Sequence, residues 1–412
     1  MVFHLPFSST IPLMETILLI SPYWKEEHRW MVSSVKLAEL WQRLGYRVVV
    51  ACMGTLNGKC SPRVAVEKVS KTLEIHRMHD FFFPDPWNYG IAFGFTGYVR
   101  KLIQKEKPDV IVANKLLFWT SLSVLVLRLT GKRVIVLTDA LVGITWWPRG
   151  WIPRICAAIY AWTLGWLILL SAWRVITFHP QAPKILKRLG ITKKTQVIPT
   201  GIDVSKFEIR NSKFETPDTS MVVTYIGRLE SVKGVDDFLA ASTELKQEVP
   251  ELTIQVVGWY RECHPLLAQY EDKAKFLGLR DDVDAILRDT DIFVLPSYSE
   301  GLSNALMEAM ASGCACIATE VGGNRFLIQN GVSGFLYPPG DREALKAHLR
   351  RLVEDTEKRR ALGKAARKRI EETFDWRRVE KQYQGLFQEY LQRENEKCKM
   401  TRSTSSEQEN VQ

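Results

Sequence analysis

IFVLPSYSEGLSNALMEAMASG, residues 292–313, holds a strand, a loop and a helix in one short run. Four apolar residues from Ile292 to Leu295, stopped by Pro296, predict a buried strand, and Ser297 to Leu302 is the loop at its carboxyl end. A helix follows at once. Ser303 or Asn304 can cap it, and Ala305, Leu306, Ala309 and Met310 recur at helical spacing as a stripe to be buried. The first N–H groups of that helix make an anion site, with the Glu300 carboxylate beside it. Glu300 belongs to the loop and Glu308 to the helix, so the two would line different parts of one elongated ligand.

A second strand and loop complement the first. Met221 to Ile226 is apolar and runs directly into Gly227-Arg-Leu-Glu-Ser-Val-Lys233-Gly234. Gly227 lets the backbone turn at the strand end, and Arg228 and Lys233 place two cations by a helix start, as a diphosphate requires. Further strands are expected at Leu252 to Val257, followed by Gly258-Trp-Tyr260, and around Cys316, followed by Val321-Gly-Gly-Asn-Arg325, whose two glycines can bring backbone close to a ligand. Asp282-Val-Asp284 and Asp289-Thr-Asp291 have the spacing of a divalent-ion site, but the first lies in a loop or helix start and the second enters a buried strand, so neither is assigned a metal.

The first half repeats the pattern. Thr16 to Pro22 reads as a strand, Trp30 to Leu44 as a helix and Arg47 to Cys52 as a strand, which together make a βαβ unit. Pro108 to Asn114 and Lys132 to Asp139 each have a polar entry, a short apolar strand and a polar residue at the carboxyl end. Ligands of such doubly wound sheets gather at those carboxyl ends. Asp139 is therefore a candidate ligand residue, or a helix cap, with His28 and His179 as lesser alternatives.

The loop and helix carrying Glu300 and Glu308, together with Arg228 and Lys233, resemble the retaining glycosyltransferases called glycosyl transferases group 1 (glycosyltransferase family 4). The resemblance is closest over residues 195–390, including Val197-Ile-Pro-Thr-Gly-Ile-Asp203, and extends over the first half by architecture. It implies a GT-B fold: α/β, two facing Rossmann-like, doubly wound parallel-sheet domains, with a C-terminal helix crossing back to the first. It also implies roles. Glu300 would contact the donor sugar, with Arg228 and Lys233 holding the diphosphate and stabilising its charge as the glycosidic bond breaks. The backbone of Gly227, Gly301, Leu302, Ser303 and Asn304 would approach sugar and diphosphate, and Glu308 would bind the ribose. Such enzymes retain anomeric configuration without a metal, the donor phosphate accepting the acceptor's proton, so no cofactor is expected beyond the nucleotide-diphosphate sugar itself. The chain departs from the family pattern at Tyr23 to His28 in place of a Gly-rich turn, at Asp139 in place of a His, at Gly258-Trp-Tyr260 in place of Gly-x-Gly, and at Asn324-Arg325 in place of Pro-Glu.

Length and charge frame the rest. A chain of 412 residues exceeds one hydrophobic core, so two domains are expected. Residues 1–190 carry 24 Lys and Arg against 11 Asp and Glu, a balance of +13, which leaves −3 of the net +10 for the remainder. No Asp or Glu occurs from Ala140 to Ile202, a gap holding eight Lys and Arg and six of the thirteen Trp. Inside it, Arg154 and Arg174 bracket ICAAIYAWTLGWLILLSAW, and Phe81 to Tyr98 adds eight aromatic residues. The apolar run can cross a bilayer, sit in a core or lie in the lipid interface. Trp at its flanks and Arg at its ends favour the interface, on an anionic membrane surface. Runs such as LGWLILL are foreign to nucleic-acid faces, so no nucleic acid is expected. The seven scattered Cys read as reduced core residues of a cytosolic protein.

The expected organisation is a flexible extension (1–15), an acceptor domain (16–200) with a membrane-associating helix near 155–173, a nucleotide-sugar domain (201–373), a crossover helix (374–392) and a disordered tail (393–412). The expected activity is metal-independent, retaining transfer from a nucleotide-sugar to a lipid or lipid-linked acceptor, by a peripheral enzyme at the cytoplasmic membrane face. A nucleotide-sugar epimerase of the same fold, or a non-catalytic membrane or nucleic-acid binding protein, are the alternatives. The sequence is silent on oligomeric state.

Overall fold

The computed structural model of the chain describes residues 14–24, 32–54, 63–83, 87, 89–116, 118–138, 151–178, 186, 190–207, 209 and 221–409, with side chains as far as residue 396. It divides into two units, one of Met1–Thr177, Ala182–Val197 and Glu380–Gln412, the other of Phe178–Gln181 and Ile198–Val379.

The described strands of the first unit include apolar runs buried on both faces, at Thr16–Ile20, Val110–Asn114 and Ile135–Thr138, as parallel sheets covered by helices require. They are β1 (Thr16–Ile20), β2 (Arg47–Met53), β3 (Val64–Ser70), β4 (Leu73–Met78), a small hairpin of β5 (Phe81–Phe83) and β6 (Tyr89–Ile91), β7 (Val110–Asn114), β8 (Ile135–Thr138), β9 (Arg174–Thr177) and β10 (Thr195–Val197). The main sheet runs β10-β9-β8-β7-β1-β2-β4-β3. Its pairs are parallel except the edge strand β3, which is antiparallel to β4. The sequence reading has no counterpart for β3 and β4. The winding reverses between β1 and β7, where Ser21 Oγ lies 2.6 Å from Ser34 Oγ and Asn114 Nδ2 donates to Ser34 Oγ at 3.1 Å. Asp139, His28 and His179 lie outside the described residues.

Between β8 and β9 runs a helix, Trp151–Ser171, with a π-helical stretch at Ala161–Gly165, four residues earlier in start than the sequence reading places it. Its inward stripe is mostly small: Pro153, Ala157, Ala161 and Gly165, then Ile168 and Leu169. Its outward side is large and apolar, with Trp151 72%, Ile159 60% and Trp162 50% exposed. Tyr160 anchors the helix, its hydroxyl donating to Leu116 O at 3.1 Å. The helix has the length and hydropathy to cross a membrane, but β8 and β9 are parallel neighbours in one sheet, so a single crossing between them is excluded. Most of its large apolar side chains are turned outward, whereas a core helix turns them inward. Of the cysteines, Cys52, Cys314 and Cys316 are buried as expected, whereas Cys156, on this helix, and Cys263 are exposed.

The second unit has six parallel strands: β11 (Met221–Ile226), β12 (Leu252–Val257), β13 (Lys275–Gly278), β14 (Ile292–Leu295), β15 (Ala315–Thr319) and β16 (Phe335–Tyr337), in the order β13-β12-β11-β14-β15-β16. The chain winds outward from β11 to one side and from β14 to the other. The crevice at the carboxyl ends of these two neighbours is the switch point where open α/β sheets hold their ligands. The two loops singled out from the sequence leave those two strands.

The last long helix, Trp376–Glu409, starts in the second unit, where Trp376 N–H donates to Ile202 O at 3.0 Å. From Glu380 its residues belong to the first unit. There Tyr383 and Phe387 pack edge-on against Trp41 with ring centroids 5.7 and 5.6 Å away, and Tyr390 donates its hydroxyl to Arg133 O at 2.8 Å. The sequence reading puts a disordered tail from Arg393, yet the helix continues to Glu409. Gln, Glu, Lys and Arg are good helix formers and extend a helix already nucleated by packing.

Candidate active site

The β11 loop is shaped by what lies beneath and beside it. Gly227 N–H donates to Val257 O at 2.8 Å, and a Cβ at Gly227 would lie 2.4 Å from the Tyr225 hydroxyl, so any larger residue there has to displace the buried Tyr225 ring. Tyr225 donates to Arg228 O at 2.9 Å. Burial, reinforced by the Glu300 charge, pushes its phenol well above the usual range, so it stays a donor. A single 3-10 turn, Ser231–Lys233, then ends at Gly234 in the left-handed region with φ 64°.

The β14 loop is pressed against it. A Cβ at Gly234 would lie 2.1 Å from Pro296 O, and Tyr298 N–H donates to Val232 O at 2.9 Å. Lys233 Nζ thereby reaches Glu300 Oε1 at 2.7 Å, and Ser297 Oγ donates to the same oxygen at 2.7 Å. The Lys233 and Glu300 side chains are 20% and 11% exposed, so little water screens the pair. Ser297 is itself fixed, its carbonyl accepting from Thr319 Oγ1 at 2.6 Å. The remaining cation, Arg228, donates to Glu230 Oε1 at 2.8 Å.

On the far side the loop rests on Gly322 and Gly323. Their Cβ positions would come within 1.8 Å of Glu300 O and 2.3 Å of Gly301 O, and Gly323 N–H donates to Gly301 O at 2.7 Å. The sequence reading brings these glycines close to a ligand; in the structure they bring backbone against the loop that carries Glu300. The helix Asn304–Ala311 follows, capped by Ser303, whose Oγ accepts from Leu306 N–H at 3.3 Å. Leu306, Met307, Ala309, Met310 and Ala311 are buried, whereas Ala305 is only half-buried and Glu308 faces the less buried side. The Leu302 side chain packs on the core beneath, so only its backbone is available to a ligand. Gly301 is exposed, with nothing within 4 Å of a Cβ placed there.

Arg228, Lys233, Gly227, Glu300, Gly301, Ser303, Asn304 and Glu308 thus lie on the two loops and the helix start at one switch point. Among the described residues no group of three or more His, Cys, Asp or Glu could hold a metal ion. The Asp-x-Asp carboxylates serve the fold: Asp282 accepts twice from Arg280, and Asp291 accepts from Val222 N–H at 2.9 Å. Two features escaped the sequence reading. Ser297 has its signal in its place, three residues before the loop carboxylate. Asp237, accepting from Tyr298 at 2.7 Å and Arg342 at 2.5 Å, ties the β14 loop to two other segments far away in sequence, and no local pattern announces it.

Replacing Ser297 by alanine removes a hydrogen bond to a charged group worth about 1.5–3 kcal/mol, so turnover falls about tenfold or more. If Arg228 and Lys233 hold the donor as the resemblance implies, its KM changes little; steady-state kinetics on the two proteins check this.

Residues 206–369 match the family model described as Glycosyl transferases group 1, and residues 32–206 match that described as Glycosyltransferase Family 4. The chain belongs to the glycosyl transferases group 1 family. This group 1 chain is 30% identical over 218 residues to the putative colanic acid biosynthesis glycosyltransferase WcaL of Escherichia coli (strain K12), covering 49% of this chain and 53% of that one. It is 30% identical over 210 residues to the UDP-Gal:alpha-D-GlcNAc-diphosphoundecaprenol alpha-1,3-galactosyltransferase of Escherichia coli, covering 46% and 54%. The group 1 chain spans about half the length of the curated relatives it matches. Among solved structures it is similar to sucrose-phosphate synthase from Thermosynechococcus elongatus, with a TM-score of 0.71, 22% identity and coverage of 91% of this chain and 98% of that one. It is also similar to Anabaena HepE in complex with UDP and glucose, with a TM-score of 0.69, 19% identity and coverage of 91% and 100%. At such identities the likeness concerns the fold, which is GT-B.

Proposed function

We propose that this chain transfers a sugar from a nucleotide-diphosphate donor to a lipid or lipid-linked acceptor, with retention of anomeric configuration and without a metal. The observation that carries the reading is the Lys233–Glu300–Ser297 cluster at the β11/β14 switch point, with Arg228 on the same loop. In this reading a bound diphosphate draws Arg228 and Lys233 to itself, and the N–H groups after Gly301 add to them. Charge developing on the leaving diphosphate is where pre-oriented donors contribute most to rate. Glu300, released from Lys233 but still held by Ser297, orients the sugar ring. Glu308 takes the ribose, the donor phosphate accepts the acceptor's proton, and Asp139 stands on the acceptor side.

The membrane part of the proposal is supported by the helix Trp151–Ser171. It turns small residues to the protein and Trp and Ile to the outside, the reverse of a helix facing water. The stretch around it has no acidic residue from Ala140 to Ile202, which suits an anionic surface. The chain would rest peripherally on the cytoplasmic face of a membrane. One relative's name includes a diphosphoundecaprenol-linked acceptor, which agrees with a lipid-linked acceptor here.

A panel of nucleotide-sugars, incubated with the protein and anionic liposomes carrying a lipid-linked acceptor, tests both parts. One donor is expected to release its nucleoside diphosphate and leave labelled sugar in the lipid phase, with the anomeric configuration unchanged by NMR. Replacing Trp162 and Trp166 together by alanine is expected to weaken flotation with those liposomes about tenfold or more, given the apolar area withdrawn from lipid. Flotation that does not respond to these replacements defeats the membrane reading and leaves the donor reading standing.

A further inference from the structure

A cavity of about 440 Å³ opens in the first unit between the edge pair β3–β4 and the helix Phe95–Glu106, a volume within the range of small-molecule sites. We propose that it binds a phosphomonoester carrying hydroxyl groups, such as a sugar phosphate, in a site independent of the donor reading above.

The cavity does not lie where this fold places its substrates. Arg47 opens β2, Glu74 is near the start of β4, and Lys105 and Glu106 end the helix, so the site is at the amino ends of the strands. Ligands of doubly wound sheets gather at the carboxyl ends. Antiparallel pairing sets Lys68 opposite Glu74 and Val66 opposite His76, and all four line the cavity. Tyr98, Lys101 and Lys105 line it from the helix, about one turn apart.

Its floor is a closed network. Arg47 donates to Glu106 Oε2 at 2.7 Å and to Glu74 Oε2 at 3.2 Å, and Lys105 Nζ lies 2.9 Å from Glu106 Oε1. The buried His76 links the strand to the helix, its Nε2 2.9 Å from Glu74 Oε1 and its Nδ1 2.6 Å from the Tyr98 hydroxyl. Burial lowers the His76 pKa against the pull of Glu74, so the ring adds no charge at neutral pH. Four cations against two carboxylates leave the lining at +2. Arg47 and Lys105 answer the carboxylates; the exposed Lys68 and Lys101 have no carboxylate partner among the described residues.

That surplus matches a phosphomonoester, which carries close to two negative charges at neutral pH. The Arg47 fork, the group suited to a planar carboxylate, is already occupied by Glu74 and Glu106, whereas two ammonium groups on opposite walls can each take a phosphate oxygen. Glu74 and Glu106 accept from hydroxyl groups but repel a second anionic group, so the body of the ligand is polyhydroxylated, with Val66 and Leu102 as its apolar side.

Calorimetric titration of the full chain with glucose 6-phosphate, glucose and inorganic phosphate tests the inference. Glucose 6-phosphate binds at least about tenfold more tightly than glucose or inorganic phosphate, because the two parts are held together. Replacing Lys68 and Lys101 together by alanine weakens that binding by about tenfold to a hundredfold, the loss of charge-assisted hydrogen bonds to one dianion. The melting temperature of the unliganded protein and its affinity for UDP stay as they were, and Arg228→Ala binds glucose 6-phosphate as the unaltered protein does. No binding by the unaltered protein overturns the inference, as does binding that the double variant retains or Arg228→Ala loses. Equal affinity for inorganic phosphate overturns it too, since that marks an adventitious anion only. Displacement of glucose 6-phosphate by vesicles of phosphatidylcholine and phosphatidylinositol 4-phosphate would assign the phosphomonoester to a lipid headgroup, and no displacement to a soluble sugar phosphate; the ligand class holds in both.

Discussion

Glu300→Ala lowers turnover by at least about a hundredfold, the loss that misplacing a reacting group by an ångström brings, while nucleoside diphosphate affinity holds or rises. The two halves of that result have one cause. Lys233 Nζ is bound to Glu300 Oε1 at 2.7 Å, and a diphosphate has to compete for it. Without the carboxylate, the ammonium turns to the phosphates at no cost, but the sugar loses the group that orients it. Lys233→Ala separates the roles by failing on both counts: the diphosphate loses a cation, and Glu300 keeps only Ser297. Titration with UDP and single-turnover kinetics on the two variants distinguish them. Parallel loss of binding and turnover in Glu300→Ala would show that the carboxylate only holds the loop together.

Gly234→Ala costs about 2–4 kcal/mol of stability, combining a left-handed backbone with an overpacked contact. Its Cβ would stand 2.1 Å from Pro296 O, a backbone atom with no rotamer to change, so the two loops must part. Parting them moves Lys233 from Glu300, and donor affinity falls with stability. Gly301→Ala is the contrast. Nothing lies within 4 Å of its Cβ, so stability stays within about 0.5 kcal/mol, and any loss of turnover reports on the donor's approach to that backbone. Urea unfolding of both variants checks the difference; equal midpoints would show that the β11 and β14 loops are not in contact.

Much of this site is written in short stretches of sequence because each part of it is local. A strand, its loop and the following helix occupy residues 292–311, so periodicity and the Pro296 stop place Glu300, Ser303 and Glu308 without knowledge of the rest. The meeting of Lys233 with Glu300 is not local. It follows from β11 and β14 being neighbours; the family resemblance implies only that both residues serve one donor. The contact of Gly322 and Gly323 with the Glu300 loop is hidden for the same reason: a glycine pair announces a close approach but not what approaches. The β3–β4 hairpin was passed over because β3 is an exposed edge strand in which charged residues interrupt the apolar pattern. Asp237, Tyr298 and Arg342 join three segments that no window of sequence holds together.

The helix Trp376–Glu409 sets an order on how this molecule is made. Tyr383, Phe387 and Tyr390 complete the core of the first unit around Trp41, Tyr46 and Trp173, yet the main part of the second unit, Ile198–Val379, is synthesised between β10 and Tyr383. Domains usually fold as they leave the ribosome, the earlier one first. Here the unit begun first is finished last: during translation its sheet waits with the Trp41 surface uncovered while the second unit folds to completion.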